Sequence, residues 1–387
     1  MSDVVIAGVG QTPVGEHWNT SLRELALHAI EAAIQDSGGV QPQALFVSNV
    51  FAPTLSHQAH LGAFIADFAG LTGIEALTIE GAGASGGLAL RQAYLTVNAG
   101  GAEAALVVGV EKLTDQTGSG VEAAIATAVD SDYEAVQGLT PTAQAALLMR
   151  RYMHEFNVDH DSFAGFSLVA HANGVNNPNA MFRKAIKFEA YQRAGMVSEP
   201  LNMFDVAPGA DGSAALLVTR RDLLPPSFSH PMVRISGSSS VTDTLALHDR
   251  SDPLDFRAAR LSAQRACRQA GILPADIDLF ELFDAFSIHA ALSLEAAGFA
   301  ERGQGWQLAA DGELNLDGSL PISTFGGLKA RGNPGGATGV YQAVEAVMQL
   351  RGQVGENQVR DARRALVQCL GGPASSVATH VLEKTEP

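Results

Sequence analysis

Apolar and polar residues alternate along the chain in blocks that predict strands joined by helices. Short apolar runs at 4–9, 44–51 and 104–110 are typical of buried strands, and the segments between them repeat apolar residues at helical spacing. Ser21, followed three residues later by Glu24, has the spacing of a capping box and predicts the start of a helix. Because strands that alternate with helices usually pair in parallel, we expect a mostly parallel sheet covered by helices.

Two glycine-rich turns each precede a helical pattern. The first, at 81–87, follows a short β-branched strand and opens a helix that runs to Gly100. The second, at 332–339, precedes a predicted helix over 341–350. Backbone N–H groups at such a helix start can hold an anion or a developing oxyanion. The matching turns predict an internal duplication.

The predicted domain boundary is the Pro225-Pro226 pair, since adjacent prolines interrupt regular structure. We therefore expect an N-terminal half at 1–224 and a C-terminal half at 225–387. Within the first half, the periodicity weakens from about 114 to 202, where glycine, proline and asparagine break up helical pieces. This segment is predicted to be an inserted loop domain.

Composition narrows the classes of function. The chain has 387 residues, of which 46% are apolar, and a formal net charge of −16, so neither a nucleic-acid partner nor a membrane-surface partner is expected. Its two cysteines, Cys267 and Cys369, form neither a disulfide framework nor a metal-binding CxxC pair. With no signal-peptide pattern and no apolar run near the roughly 20 residues of a membrane helix, we expect a cytoplasmic protein without a metal.

One alternative reading of the first turn is a dinucleotide site. Gly81, Gly83 and Gly86 satisfy the GxGxxG spacing after a strand, and Glu111 ends the next strand as a candidate ribose ligand. A single match of this kind is weak evidence for an NAD-dependent enzyme.

Four ordered motifs give the chain a resemblance to the thiolase superfamily, especially its archaeal-type and sterol-carrier-thiolase branch. They lie at 80–87, 281–286, 326–339 and 369–372, and the segment 171–178 resembles the loop domain of that branch. The resemblance covers almost the whole chain. It implies an α/β protein with a five-layered αβαβα fold of two pseudo-repeated halves, a homodimer, and coenzyme A thioesters as substrate or ligand, with no covalently bound cofactor.

The chain departs from the thiolase pattern at three site positions. Gly83 stands where the family places its nucleophilic cysteine, Phe283 where the branch usually has a histidine, and Asn333 where another histidine is usual. Cys369 matches the acid/base cysteine, although a plain buried thiol is an equal alternative. The resemblance also assigns the backbone amides of Gly83 and Gly371 to an oxyanion hole.

The remaining candidates would contact the substrate. Ser85 lies in the first turn, and Phe283 is expected to form a wall of the pocket. Arg183 and Lys184 can meet the phosphates of coenzyme A, or can simply form a solvated face. His171 is either a coenzyme A contact or a packing residue.

Two hypotheses for function remain open. Since glycine has no side chain, covalent acyl transfer at Gly83 is excluded, and ordinary acetyl-CoA acetyltransferase turnover is not expected. The first hypothesis is a thiolase-fold enzyme that cleaves a C–C bond without an acyl-enzyme, by a retro-aldol or retro-Claisen reaction, with a small OB-fold partner. The second is a non-catalytic thiolase-like subunit that binds acyl-CoA and supports a partner protein.

Overall fold

A computed structural model describes residues 3–116 and 118–385. Most of the predicted elements are present, and several extend beyond their predicted ends. The strands are β1 (Val4–Gln11), β2 (Ala44–Ser48), β3 (Glu75–Ile79), β4 (Ala104–Glu111), β5 (Met196–Ser198), β6 (Leu201–Asn202), β7 (Gly212–Arg220), β8 (Met232–Thr242), β9 (Leu279–Glu281), β10 (Arg364–Gly371) and β11 (Ser376–Thr385). The α-helices are α1 (Leu22–Asp36), α2 (Ala52–Leu55), α3 (Leu61–Phe68), α4 (Ser85–Asn98), α5 (Ser119–Ile125), α6 (Pro141–Phe156), α7 (Ala164–Gly174), α8 (Phe188–Gln192), α9 (Arg257–Ala270), α10 (Ser287–Ala297), α11 (Gly305–Ala310) and α12 (Thr338–Arg351).

The main sheet repeats one pattern of strands twice. Its order is β3-β2-β4-β7-β1-β8-β11-β10-β9, and the two runs meet where Val5 pairs with Arg234 and Ile6 with Val233. Outward from this junction, each run has two antiparallel pairs followed by a parallel pair, and the first run adds a second parallel pair, β2–β3. The duplication predicted from the two glycine turns therefore appears as an approximate two-fold relation between the halves of the sheet.

The two halves of the sheet and the helices on their faces form five layers, because side chains alternate between the two faces of each strand. In β4, Ala105 and Val107 face α4 and α12, whereas Leu106 and Val108 pack in the cluster that includes α1. Both α4 and α12 contact strands of both halves of the sheet, so these two helices form the central layer. α1 and α3 cover the outer face of the first half, and α9 and α10 cover that of the second. The layering expected from the resemblance is observed.

The expectation of a mostly parallel sheet is wrong. Only the pairs β2–β3, β2–β4 and β9–β10 are parallel among the neighbouring strands of the main sheet. β10 and β11 are joined by a turn of four residues, 372–375, which is too short for a parallel crossover. β7 returns after a long insertion and enters antiparallel between β4 and β1. Local periodicity does not reveal this direction.

The segment between β4 and β7 carries four α-helices among irregular stretches and contributes one wall of the cavity described below. It contains α5 to α8 and the two-stranded ribbon β5–β6. The expected boundary at 224/225 falls between β7 and β8, and the division into two halves there stays a prediction. Within 3–116 and 118–385, none of the helices has the length and apolar character needed to cross a membrane.

Candidate active site

A cavity of about 240 Å³ lies beside the starts of α4 and α12. Its walls are mainly apolar side chains and glycines. Gly83, Phe283 and Asn333, which lie far apart in sequence, all line it. A larger open cleft of about 730 Å³ is lined instead by residues such as His230 and Arg363, and none of the predicted site residues lines that cleft.

The turn that carries Gly83 is held by its own polar groups. The Ser85 hydroxyl accepts a hydrogen bond from the Gly81 amide at 2.9 Å and donates to the Ala82 carbonyl at 2.6 Å. The Glu80 carboxylate accepts from the Ala82 amide, and Ala82 has a left-handed φ of 50°. Ser85 therefore positions the turn, and it does not line the cavity. The Gly83 amide has no hydrogen-bond partner in the described part of the chain, so it can donate to a ligand.

The ring of Phe283 occupies the space beside Gly83. A Cβ atom added at position 83 would lie 2.5 Å from Phe283 Cζ and 2.4 Å from the Leu370 carbonyl oxygen. Carbon atoms in normal contact are about 3.5–4.0 Å apart. Position 83, where the resemblance places the nucleophile, thus has no side chain and no space for one.

Asn333 presents an amide group to the cavity. Its backbone pairs with Pro208 and Ala210, and Thr338 Oγ1 donates to its Oδ1 at 2.9 Å. Since Oδ1 is engaged in this way, Nδ2 is the group left for a ligand, and it has no acceptor among the described residues. An amide of this kind can donate a hydrogen bond to a carbonyl or enolate oxygen, but it does not titrate near pH 7.

Cys369 and Gly371 lie behind the turn and do not line the cavity. The Cys369 thiol is fully buried and donates to Gln342 Oε1 at 3.3 Å, and burial raises its pKa to about 12. At Gly371, an added Cβ would lie 2.4 Å from the Gly81 carbonyl oxygen, so this glycine packs against the turn. An acid/base role for Cys369 requires its thiol to reach a cavity that it does not line.

The candidates for coenzyme A phosphates lie outside the cavity wall. Arg183 and Lys184 are exposed, and neither lines the cavity. The buried ring of His171 stacks on Phe182 at 6.1 Å between centroids and meets Phe204 edge-on at 5.6 Å. Burial lowers the pKa of His171, which is the behaviour of a packing histidine. Phosphate contacts by Arg183 and Lys184 stay predictions.

The sequence motifs do not identify two buried polar residues that line the cavity. His289 on α10 and Gln144 on α6 both line the cavity and are almost completely buried. Neither side chain has a hydrogen-bond partner among the described residues. The one signal in the sequence was a histidine flanked by apolar residues within the predicted helix 287–297. The thiolase-like motifs include neither residue.

Glu111 organises the rim of the cavity and is not available to a ribose. Its carboxylate is fully buried and accepts hydrogen bonds from Asn49 Nδ2 and from the backbone amides of Val50, Phe51 and Gly336. These bonds join the loop after β2 to the start of α12. The dinucleotide reading of Glu111 is therefore wrong, because every interaction of this carboxylate is internal.

Replacing Glu111 by glutamine is expected to flatten the dependence of stability on pH. Burial raises the pKa of Glu111 from 4.5 to about 7. The folded state therefore holds a proton that the unfolded chain releases, and stabilisation present below pH 4.5 is lost as the pH rises through 7. Urea unfolding from pH 4.5 to 8 measures this. The wild-type midpoint should fall across the window and the Glu111→Gln midpoint should fall less; equal slopes would contradict the assignment.

A buried ionic layer supports the segment before Asn333. Asp284 accepts from the Leu328 amide at 2.7 Å, and Lys329 donates to the carbonyls of Phe204 and Asp205. Arg331 forms an ion pair with Glu345 at 2.5 Å, and both side chains are almost fully buried. Within the described residues, no cluster of histidine, cysteine, aspartate and glutamate has the arrangement of a metal site.

Comparisons with known proteins identify the family of the chain. Residues 4–222 match the family model for the thiolase N-terminal domain, and residues 239–384 match the model for a thiolase C-terminal domain-like region. An acetyl-CoA acetyltransferase of Methanothermobacter thermautotrophicus is 39% identical, over 99% of this chain and 100% of that protein.

Two further relatives differ in their described activities. The benzoylsuccinyl-CoA thiolase subunit BbsB of Thauera aromatica is 29% identical over 95% of this chain and 94% of that protein. The solved structure of an Ltp2-ChsH2(DUF35) aldolase contains a chain that matches with a TM-score of 0.84 and 26% identity, over 99% of this chain and 98% of that one. The resemblance stated from the motifs is confirmed, and the chain belongs to the thiolase family.

Proposed function

We propose that this protein binds an acyl-CoA thioester in the cavity and acts on it without forming an acyl-enzyme. The observation that carries the proposal is the contact between Gly83 and Phe283, which leaves no room for a nucleophilic side chain. The unpartnered hydrogen-bond donors of the same cavity include the Gly83 amide and Asn333 Nδ2. Donors of this kind stabilise an oxyanion in a site that largely excludes water.

The chemistry that fits these groups is cleavage of a C–C bond by a retro-aldol reaction. The proton of a β-hydroxyl group passes to water, the Cα–Cβ bond breaks to release an aldehyde or ketone, and the electron pair forms an enolate on the thioester. Gly83 and Asn333 donate to the enolate oxygen, and water returns a proton to Cα to give the shortened acyl-CoA. A retro-Claisen cleavage, with water or coenzyme A adding to a β-ketone, passes through the same enolate. The solved structure that is 26% identical is that of an aldolase, which supports this class of reaction.

We also propose that the protein acts as a homodimer and with a small partner. The solved aldolase joins Ltp2 to ChsH2, a DUF35 protein, and the expected partner here is a small OB-fold protein of comparable role. Copurification of a single small protein with the tagged chain from its native host would support this assembly. A chain that elutes only as a monomer and turns over alone would contradict it.

A non-catalytic subunit is the second candidate function. It is favoured by Phe283 and Asn333, which stand where the resemblance places two histidines, and by the relative named as a thiolase subunit. In that case acyl-CoA would bind, but neither the aldehyde or ketone nor the shortened thioester would form. Product analysis by mass spectrometry separates the two candidates.

Asn333 variants test the catalytic proposal. Asn333→Asp keeps an acceptor for Thr338 but removes the donor, so turnover of a β-hydroxyacyl-CoA should fall by about 10²–10³ while binding changes little. The control variant is Gln353→Ala, which changes an exposed side chain outside the cavity that contacts His230. If Asn333→Asp turns over at the wild-type rate, Asn333 does not hold the enolate.

A further inference from the structure

Two buried polar side chains of the cavity have unused hydrogen-bonding capacity. His289 is 3% exposed and Gln144 is 1% exposed, and both line the cavity. Both ring nitrogens of His289, and the oxygen and nitrogen of the Gln144 amide, have no partner among the described residues. A buried polar group left without a partner costs about 1–3 kcal/mol, so such groups normally have a structural or functional use.

The His289 ring is held in place by aromatic neighbours. Phe286 lies 5.0 Å away and Phe256 5.5 Å away between ring centroids, both edge-on. These contacts fix the ring but offer its nitrogens no hydrogen bond. Because His289 and Gln144 come from α10 and α6, two separate helices place polar groups on one apolar cavity.

Both groups are uncharged at neutral pH. Burial, followed by the nearby charges of Arg250 and Lys329, lowers the pKa of His289 to about 3. A neutral imidazole has one donor and one acceptor, and a carboxamide has both kinds of group. This combination complements a hydroxyl or a ketone. It does not neutralise a carboxylate or an ammonium group.

We infer that His289 and Gln144 recognise a second, uncharged polar group on the acyl chain, a hydroxyl or a ketone beyond the β-carbon. This inference rests on the proposed function and names the substrate class of the same cavity. The volume of about 240 Å³ is below the roughly 300–1,000 Å³ of pockets for drug-sized ligands, which favours an acyl group of modest size. In the absence of substrate, water can serve the same polar groups.

The test compares matched thioesters by calorimetry. Hexanoyl-CoA is apolar, 5-hydroxyhexanoyl-CoA and 5-oxohexanoyl-CoA carry a neutral polar group, and adipoyl-CoA carries a carboxylate. The wild type should bind at least one of the neutral polar thioesters about tenfold or more tighter than hexanoyl-CoA, because a site built for a hydroxyl rejects an analogue that lacks it. Adipoyl-CoA should bind more weakly than the neutral polar thioesters.

Variants assign the preference to the two residues. His289→Leu and Gln144→Met should bind hexanoyl-CoA at least as well as the wild type and reduce the preference for the polar thioester to within about threefold. Both variants should also unfold at or above the wild-type temperature, since they replace unpartnered polar groups by apolar ones. His154→Leu, at an exposed histidine of α6 outside the cavity, is the control.

Each remaining outcome counts against the inference. Equal binding of hexanoyl-CoA and the polar thioesters, or tightest binding of adipoyl-CoA, overturns it while leaving the proposed function intact. Loss of stability in both variants with an unchanged preference assigns His289 and Gln144 a structural role. Failure of every thioester to bind overturns both the inference and the proposed function.

Discussion

Gly83→Cys is expected to destabilise the protein and to leave it without acetyl transfer. The new Cβ would lie 2.4 Å from the Leu370 carbonyl oxygen and 2.5 Å from Phe283 Cζ, so both neighbours would have to move. Overpacking of this kind costs about 1–3 kcal/mol. Guanidinium unfolding measures the loss, and intact mass after incubation with acetyl-CoA measures any adduct.

A double-mutant cycle identifies the cause of that loss. Phe283→Leu removes the ring, so Gly83→Cys should cost less in its presence, with a coupling energy of about 0.5 kcal/mol or more. The contact with Leu370 remains, so the recovery should be partial. A Gly83→Cys variant that is as stable as the wild type and carries an acetyl group would show that the cavity accepts a nucleophile after all.

Removing Glu345 is expected to give the largest loss of stability. Glu345 pairs with Arg331 at 2.5 Å, and both side chains are at most 1% exposed. Glu345→Leu would leave the buried guanidinium without its partner, which costs about 3–5 kcal/mol. The guanidinium also lies 5.1 Å from the centre of the Tyr341 ring, a contact too weak to compensate.

The matched control is the double variant Arg331→Met/Glu345→Leu. Replacing a whole buried pair by apolar residues is often neutral, so the double variant should be more stable than Glu345→Leu alone. Denaturant midpoints of the wild type, Glu345→Leu and the double variant measure these differences in stability. A single variant within about 1 kcal/mol of the wild type would mean that the pair does not support the segment before Asn333.

The helices and strands were largely predictable from local sequence signals. The capping box of Ser21 and Glu24 is formed as expected, and α10 spans the predicted 287–297. Such elements depend on periodicity and caps, which a single sequence displays. Strand direction was not predictable in this way, because the position of β7 depends on the path of about a hundred intervening residues.

The candidate site was predictable only in part, for a physical reason. The motifs indicated Gly83, Phe283 and Asn333, and these three residues line one cavity. Motifs do not report packing, however, so the close approach of the Phe283 ring to Gly83 required coordinates. His289 and Gln144 were missed because a buried polar residue differs from a packing residue only by its missing partners.

The measurement that tests the central claim most directly combines acyl-CoA binding with intact protein mass. The protein is titrated with acetoacetyl-CoA by calorimetry, and the same sample is then examined by mass spectrometry. We expect saturable binding with no increase in protein mass, because Gly83 has no side chain and Phe283 occupies the space beside it. An acyl adduct on the protein, or no binding of any acyl-CoA, would contradict it.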